Sequence, residues 1–260
     1  VRIVSYNVNS VTTRASRLVA LLEDLRPDVV CIQETKVAPA AFPHLEIGAA
    51  GYVAADLSGG RWAGVAILAR SELGVEDVTA GLPGQPDPEE ARWIEATVDG
   101  VRVVSVYVPN GREVGSDTFS SKLAFFEAMR VRAAELADLA AVITGDMNVC
   151  PTDLDVWSVA DIHGATHVTD DERSRFQAIL DTGYVDAFRH LHPLEPGFTW
   201  WDYRAGNFHK GFGLRIDLAL VSLPLAARLD GARVERAYRK PTTVPGTKPS
   251  DHAPLTIDLA

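Results

Sequence analysis

Only two of the 260 residues are cysteine, Cys31 and Cys150. That is too few for a disulfide framework, and their separation fits no structural metal motif. Such scarcity points to a reducing compartment. No apolar run approaches the roughly 18 residues that a membrane span needs. The opening Val1-Arg2-Ile3-Val4-Ser5-Tyr6-Asn7 has no charged-then-apolar leader pattern. The expectation is a soluble, cytoplasmic protein with no membrane role. Positive charge is also short. A net charge of −10 speaks, by itself, against a nucleic-acid binder.

The distribution of charge changes that conclusion. From Trp201 to His252 the chain carries nine Lys or Arg and five acids, net +4, which leaves −14 for the remainder. A basic face on an acidic body can still meet a phosphate backbone, and acids gathered around a divalent cation do not act as free negative charge. Hydrophobic content of 47% and charged content of 23% are ordinary for a soluble globular protein. The length allows one large α/β core or two intimately packed halves.

Apolar spacing predicts strands at Arg2–Val8, Asp28–Gln33, Gly64–Ala69, Trp93–Val98, Arg102–Val108, Ala141–Gly145, Phe198–Tyr203, Ile216–Val221 and Pro254–Leu259. Asp99-Gly100 joins two of them as a tight hairpin. Helical spacing covers Ser16–Leu25, Phe119–Leu139 and Ser174–Leu180, the last closed by Gly183. Leu82–Pro88 and Arg204–Gly213 read as loops. Hairpins mixed with strand–helix–strand units imply mixed sheets packed face to face with helices outside.

The most informative stretch is Ala141-Val142-Ile143-Thr144-Gly145-Asp146-Met147-Asn148. An apolar strand runs into Gly145, where the backbone is free to turn tightly. Asp146 and Asn148, two apart in extended chain, share a face at the strand's mouth. A carboxylate beside an amide can hold and orient a water. Similar mouths recur at Asn7, Glu34, Tyr107, Asp217, and Asp251 with His252. Asp217 stands between Ile216 and Leu218, where a half-buried acid needs a partner. His252 is a candidate for that partner. Acids and amides without a Cys or His ligand set indicate a hard cation, Mg²⁺ or Mn²⁺. Such a cation with a His–Asp pair and a phenol suits phosphate-ester hydrolysis.

Short motifs follow one another along the chain: Tyr6-Asn7-Val8-Asn9, Pro27 to Lys36 with Gln33-Glu34-Thr35-Lys36, Gly64 to Leu68, and Tyr107-Val108-Pro109-Asn110-Gly111. Gly145 to Pro151, Phe198 to Arg204, Gly213 to Asp217 and Ser250-Asp251-His252-Ala253-Pro254 complete the set, from Ile3 to Leu259. In this order they resemble the motifs of the exonuclease III family of apurinic/apyrimidinic endonucleases, within the endonuclease/exonuclease/phosphatase superfamily.

The resemblance implies one domain over 1–260, a four-layered α/β sandwich of two packed mixed sheets flanked by helices. It implies Glu34 as principal metal ligand, supported by Asn7 and Asp251. Asp146 and Asn148 would handle the attacking water, Tyr107 would contact the scissile phosphate, and His252, oriented by Asp217, would stabilise developing charge. Trp200, Leu214 and Ile216 fall where the family forms its pocket for a base-free sugar, and Asn110, Arg112 and Arg204 are further expected substrate contacts. The implied activity is Mg²⁺-dependent cleavage of double-stranded DNA 5′ to abasic sites, with 3′ exonuclease and 3′-phosphatase action, by a monomer. Phosphodiester or phosphate hydrolysis on RNA or a lipid headgroup is the alternative within the superfamily, and a catalytically inactive DNA-binding module the alternative of another class. Gln33-Glu34-Thr35-Lys36 and the aromatic pair Trp200-Trp201 favour DNA. Family members often have Asn at the position of Gly211, Ser or Thr at that of Ala187, and a lysine where Asp117-Thr118-Phe119 stands.

Overall fold

The computed structural model describes residues 1–260. The first half of the chain supplies strands β1 (Arg2–Asn7), β2 (Val29–Gln33), β3 (Tyr52–Leu57), β4 (Val65–Arg70), β5 (Glu76–Ala80), β6 (Trp93–Val98) and β7 (Val101–Tyr107). The second half supplies β8 (Ala141–Asp146), β9 (Tyr184–Asp186), β10 (Asp217–Ser222), β11 (Leu229–Val234) and β12 (Leu255–Leu259). They form two six-stranded sheets, ordered β11-β12-β1-β2-β4-β3 and β5-β6-β7-β8-β10-β9. Each sheet is antiparallel except for one central parallel pair, β1 with β2 and β7 with β8. The helix Val11–Leu25 bridges the first pair and Asp117–Leu136 the second. Parallel neighbours require such a crossover.

Strands buried on both faces account for the near-continuous apolar runs. Ile3, Val29, Cys31 and Ile67 of one sheet meet Val103, Val142, Ala219 and Val221 of the other in a shared core. Val4, Val30 and Ile32 face the opposite way, beneath Leu18, Leu21 and Leu22 of the first helix. Val104, Ile143, Leu218 and Leu220 likewise lie under Phe125, Phe126 and Met129 of the second. The result is the expected four layers of helix, sheet, sheet and helix. Both cysteines are buried and unpaired.

Several expectations need correction. Phe198–Tyr203 is not a strand: only Trp200 makes bridges, to Leu214 and to His252. The amides of Thr199 and Trp200 both donate to the Leu214 carbonyl, so the ladder cannot advance by regular register. The helix expected from Ser16 begins at Val11, capped by Ser10, and the one expected from Ser174 begins at Asp170. The latter start is a capping box of Thr169 with Glu172, a Thr-x-x-Glu signature ahead of the expected start. The long helix ends at Leu136 rather than at Leu139, which is 48% exposed. Strands β3, β5, β9 and β11 were not expected. β5 is exposed throughout and β9 spans three residues, so neither shows an apolar period. Arg204–Gly213 is a loop apart from short helical turns at Arg204–Gly206 and Asn207–Lys210.

Gly145 does a different job from the one its position suggests. It lies inside β8 opposite Val106 of β7, and an added Cβ would come within 1.9 Å of the Val106 carbonyl oxygen. Its bare backbone lets two parallel strands close up where Tyr107 pairs with Asp146.

Candidate active site

The mouths of β1, β2, β7, β8 and β10 open on one side of the packed sheets. The turns that follow are held in unusual backbone conformations. Asn9, Glu34, Lys36 and Asn148 all have positive φ, between 45° and 53°. Side chains in that region are uncommon and cluster where a surrounding structure enforces them for function. Below the mouths a polar staple joins the sheets: Gln33 donates to the Ser105 hydroxyl (3.1 Å), which donates to the Ile32 carbonyl (3.0 Å).

Glu34, Tyr107, Asn110, Asp146, Asn148, Trp200, Ile216, Asp251 and His252 line one cleft of about 180 Å³. Asn7 lies directly beneath. Its amide nitrogen donates to Glu34 (2.8 Å) and to Asp146 (2.9 Å), joining the chemistry of the two sheets. Asp146 is 2% exposed, and its other oxygen accepts the Asn148 amide N–H at 3.0 Å. The Asn148 side chain donates to the Val108 carbonyl (2.9 Å) and accepts from Asn110 (3.1 Å). Asp217 and His252 pair through Nδ1 at 2.8 Å, both buried. His252 Nε2 lies 3.9 Å from Asp146, too far for a hydrogen bond, so this edge is available to a substrate oxygen.

Burial pushes the Asp146 carboxyl up to about 7; His252 opposes this, while Asp217 and Glu34 add to it. Burial works against a charged His252 ring, but Asp217, Asp146 and Asp251 overcome it and carry the ring to about 10. Tyr107 is driven well above its ordinary range by burial and by Glu34 and Asp146, which keeps it a neutral phenol.

Glu34, Asp146 and His252 can each offer an atom within 4.8 Å of the others. Asp251 faces the same cleft, but its oxygens accept from Asn9 (2.9 Å) and Trp200 Nε1 (3.1 Å). Glu34 also contacts Lys36, whose ammonium donates to Asn9 at 2.8 Å. The His252 ring is taken up by Asp217 through Nδ1, which leaves the carboxylates of Glu34, Asp146 and Asp251 as hard oxygen donors; crowded carboxylates are relieved by a divalent cation, and these residues fit Mg²⁺ or Mn²⁺.

The remaining sequence candidates divide. Ile216 reaches the cleft, whereas Leu214 is buried in the small cluster of Cys150, Val156 and Ile216, against which Trp200 packs. Arg112 lines an adjoining groove of about 500 Å³ that shares Glu34, Tyr107 and Asn110 with the cleft. Arg204 is in neither; it points to solvent beside Asp202. Trp201, half of the supposed stacking pair, is 1% exposed and meets Phe208 edge-on, because the irregular segment turns it into the core. Nor is the basic segment wholly a surface: Arg215 is buried against Asp155 and Asp186.

Two residues escaped sequence reasoning. Trp62, 67% exposed on the adjoining groove, had a signal in its setting after Gly59-Gly60-Arg61. His167, in the cleft wall, had none. Burial and the nearby Lys122 hold its ring down to about 4, so it is neutral at physiological pH.

A phosphate-ester hydrolase is the class these two sheets and this cleft define, and comparison with known proteins agrees. Residues 4–252 match the endonuclease/exonuclease/phosphatase family, and the chain belongs to it. It is 32% identical to exodeoxyribonuclease III of Haemophilus influenzae, with 99% of each chain covered. A Neisseria structure described as a 3′ phosphatase bound to product DNA hairpin superimposes with a TM-score of 0.94 at 36% identity, covering 100% of this chain and 99% of that one. An AP endonuclease of Archaeoglobus fulgidus gives 0.92 at 34% identity over the same shares. Within the family the chain therefore stands among the exodeoxyribonuclease III-type DNA-repair nucleases.

Proposed function

We propose that the protein is a Mg²⁺- or Mn²⁺-dependent hydrolase of damaged double-stranded DNA, acting as a monomeric cytoplasmic single domain over 1–260. It removes 3′ blocking phosphates and nucleotides and cuts 5′ to abasic sites. The observation that carries this reading is the opposition, across one cleft, of a buried Asp146 with a raised pKa and an Asp217-oriented His252.

Glu34, with Asn7 and Asp251 near it, would hold the cation, which supplies Lewis-acid stabilisation of phosphoryl charge. Asp146, poised near neutrality, takes a proton from the attacking water, which Asn148 helps to orient. Its pKa suits that role better than the neutral Tyr107 phenol does. Tyr107 O–H donates to the phosphate. The protonated His252 presents Nε2–H to the oxygen on which charge develops, and Asp217 fixes the ring's orientation. Trp200 and Ile216 form the apolar wall against the sugar.

Among these activities 3′-end processing stands first. His167 lines the cleft beside Trp200 and Ile216, and a ring in that wall would hinder a sugar extruded from a continuous strand more than a terminal group. A time course with three duplexes tests both levels: one with an abasic analogue, one intact, one with a 3′-phosphate. Failure to process any of them with Mg²⁺ or Mn²⁺ would sink the reading. Faster cutting at the abasic analogue than 3′-phosphate release would reverse the order.

A further inference from the structure

Beneath the cleft floor lies a charged pair that the hydrolytic scheme leaves unused. Lys122 and Glu172 are both fully buried and in direct contact. An ammonium has three N–H donors and no acceptor. Here the closest acceptors are three oxygens from three separate segments: the Glu172 carboxylate, the Asn148 carbonyl (2.6 Å) and the Asn110 carbonyl (3.1 Å). The last two belong to residues that line the cleft.

The Asn148 carbonyl also accepts from His167 Nδ1, which makes Nδ1 the protonated nitrogen of that neutral ring. Two donors on one carbonyl fix the peptide that follows Asn148, the residue whose φ of 48° puts it in the left-handed region. Glu172 completes the frame. One of its oxygens accepts from the His167 N–H (2.9 Å) and the Thr166 hydroxyl (3.0 Å), the other from Thr169. The packing is tight. A Cβ on Gly111 would come within 2.8 Å of Lys122 Cδ.

A buried ion pair is weak evidence for a stability role, because apolar replacements of both partners are often neutral. The geometry here serves something else. After its counter-ion, the two closest acceptors of Lys122 are backbone carbonyls of residues that shape the reacting end of the cleft, with the Thr166 hydroxyl farther off at 3.3 Å.

We propose that Lys122, kept charged by Glu172, is a positioning residue for hydrolysis: it locks the Asn148 turn and the Asn110 loop in the arrangement that orients the water at Asp146. This rests on the hydrolytic reading above. The consequence is a separation of effects. The pair sits under the floor and out of reach of DNA, so its loss acts on turnover and leaves affinity alone.

The test uses the full chain with Mg²⁺ and the 3′-phosphate duplex, measuring kcat, KM and thermal melting. Lys122→Met strands the Glu172 charge and lowers both stability and kcat. The double variant Lys122→Met/Glu172→Gln has no stranded charge but still cannot donate to Asn148. Its melting temperature should recover toward wild type while kcat stays down on the order of 10²-fold, the effect of a misplacement of about 1 Å, with KM within about threefold. Recovery of turnover along with stability would overturn the proposal, as would a loss carried by KM. Wild-type protein is run in parallel. If it is inactive, the hydrolytic reading fails and takes this inference with it; if it is active and both variants match its rate, the positioning role alone fails.

Discussion

The two parallel strand pairs, β1 with β2 and β7 with β8, are built alike, each bridged by a long helix and each ending in polar residues at the cleft. Their supports differ. Glu34, on the first, is braced by Asn7 from below and by Lys36, whose side chain is 26% exposed. Asp146 and Asn148, on the second, stand over the wholly buried Lys122 and Glu172. One side can exchange its contacts with solvent and ions; the other is fixed from beneath. A repeated structural unit has been divided into a side suited to receiving a cation and a side suited to holding a water still.

If that division is right, the second side should be the more sensitive to substitution. Asp146→Asn would remove the proposed base, and turnover should fall by about 10²–10⁴. DNA affinity, measured by direct binding, should be kept. A collapse of affinity with an unchanged single-turnover rate would make Asp146 a binding residue. Glu34→Gln, on the first side, should lower turnover by about 10–100-fold and raise the Mg²⁺ concentration needed for half-maximal rate. Wild-type activity that survives excess chelator would remove the basis for the comparison.

His252 and Asp217 bridge the two sides, from the loop before β12 and the start of β10. A double-mutant cycle should show a coupling of roughly 0.5–3 kcal/mol, because each acts through the other; strict additivity would separate them. The smallest effect expected is one of pH. Asp146 binds its proton more tightly folded, at about 7, than its ordinary 3.8. Its contribution to stability is thus present at low pH and is lost as pH rises through that window. In chelator, Asp146→Asn should gain melting temperature relative to wild type from pH 4 to 7, on the order of a few degrees. The acid limb of kcat/KM should lie near 7 or lower, moving down as Mg²⁺ is added, since a nearby cation favours the carboxylate.

The first side was the easier to read in the sequence. Its strands are apolar on both faces, and Asn7 and Glu34 mark where each run ends. The mouth of β8 was equally plain, but its support was not. Lysine and glutamate are residue types that proteins ordinarily turn to solvent, and nothing in the spacing of Lys122 and Glu172, fifty positions apart, says that both turn inward. Phe198–Tyr203 misled for the opposite reason. Its aromatic and β-branched residues favour a strand, while the contacts that make it irregular come from Leu214 and His252, far along the chain. Edge strands such as β5 lack a buried face and left no pattern.

Gly145 carries a practical warning for anyone engineering the protein. Replacing glycine by alanine is a common route to a stiffer, more heat-resistant chain. Here the methyl would strike the Val106 carbonyl, and the nearest relief is to spread β7 from β8 at the rung that pairs Tyr107 with Asp146. The spacing of those two functional groups is set by an atom that is missing. A library that screens only for thermal tolerance would treat position 145 as a glycine like any other, whereas a screen for turnover should find almost no substitute for it.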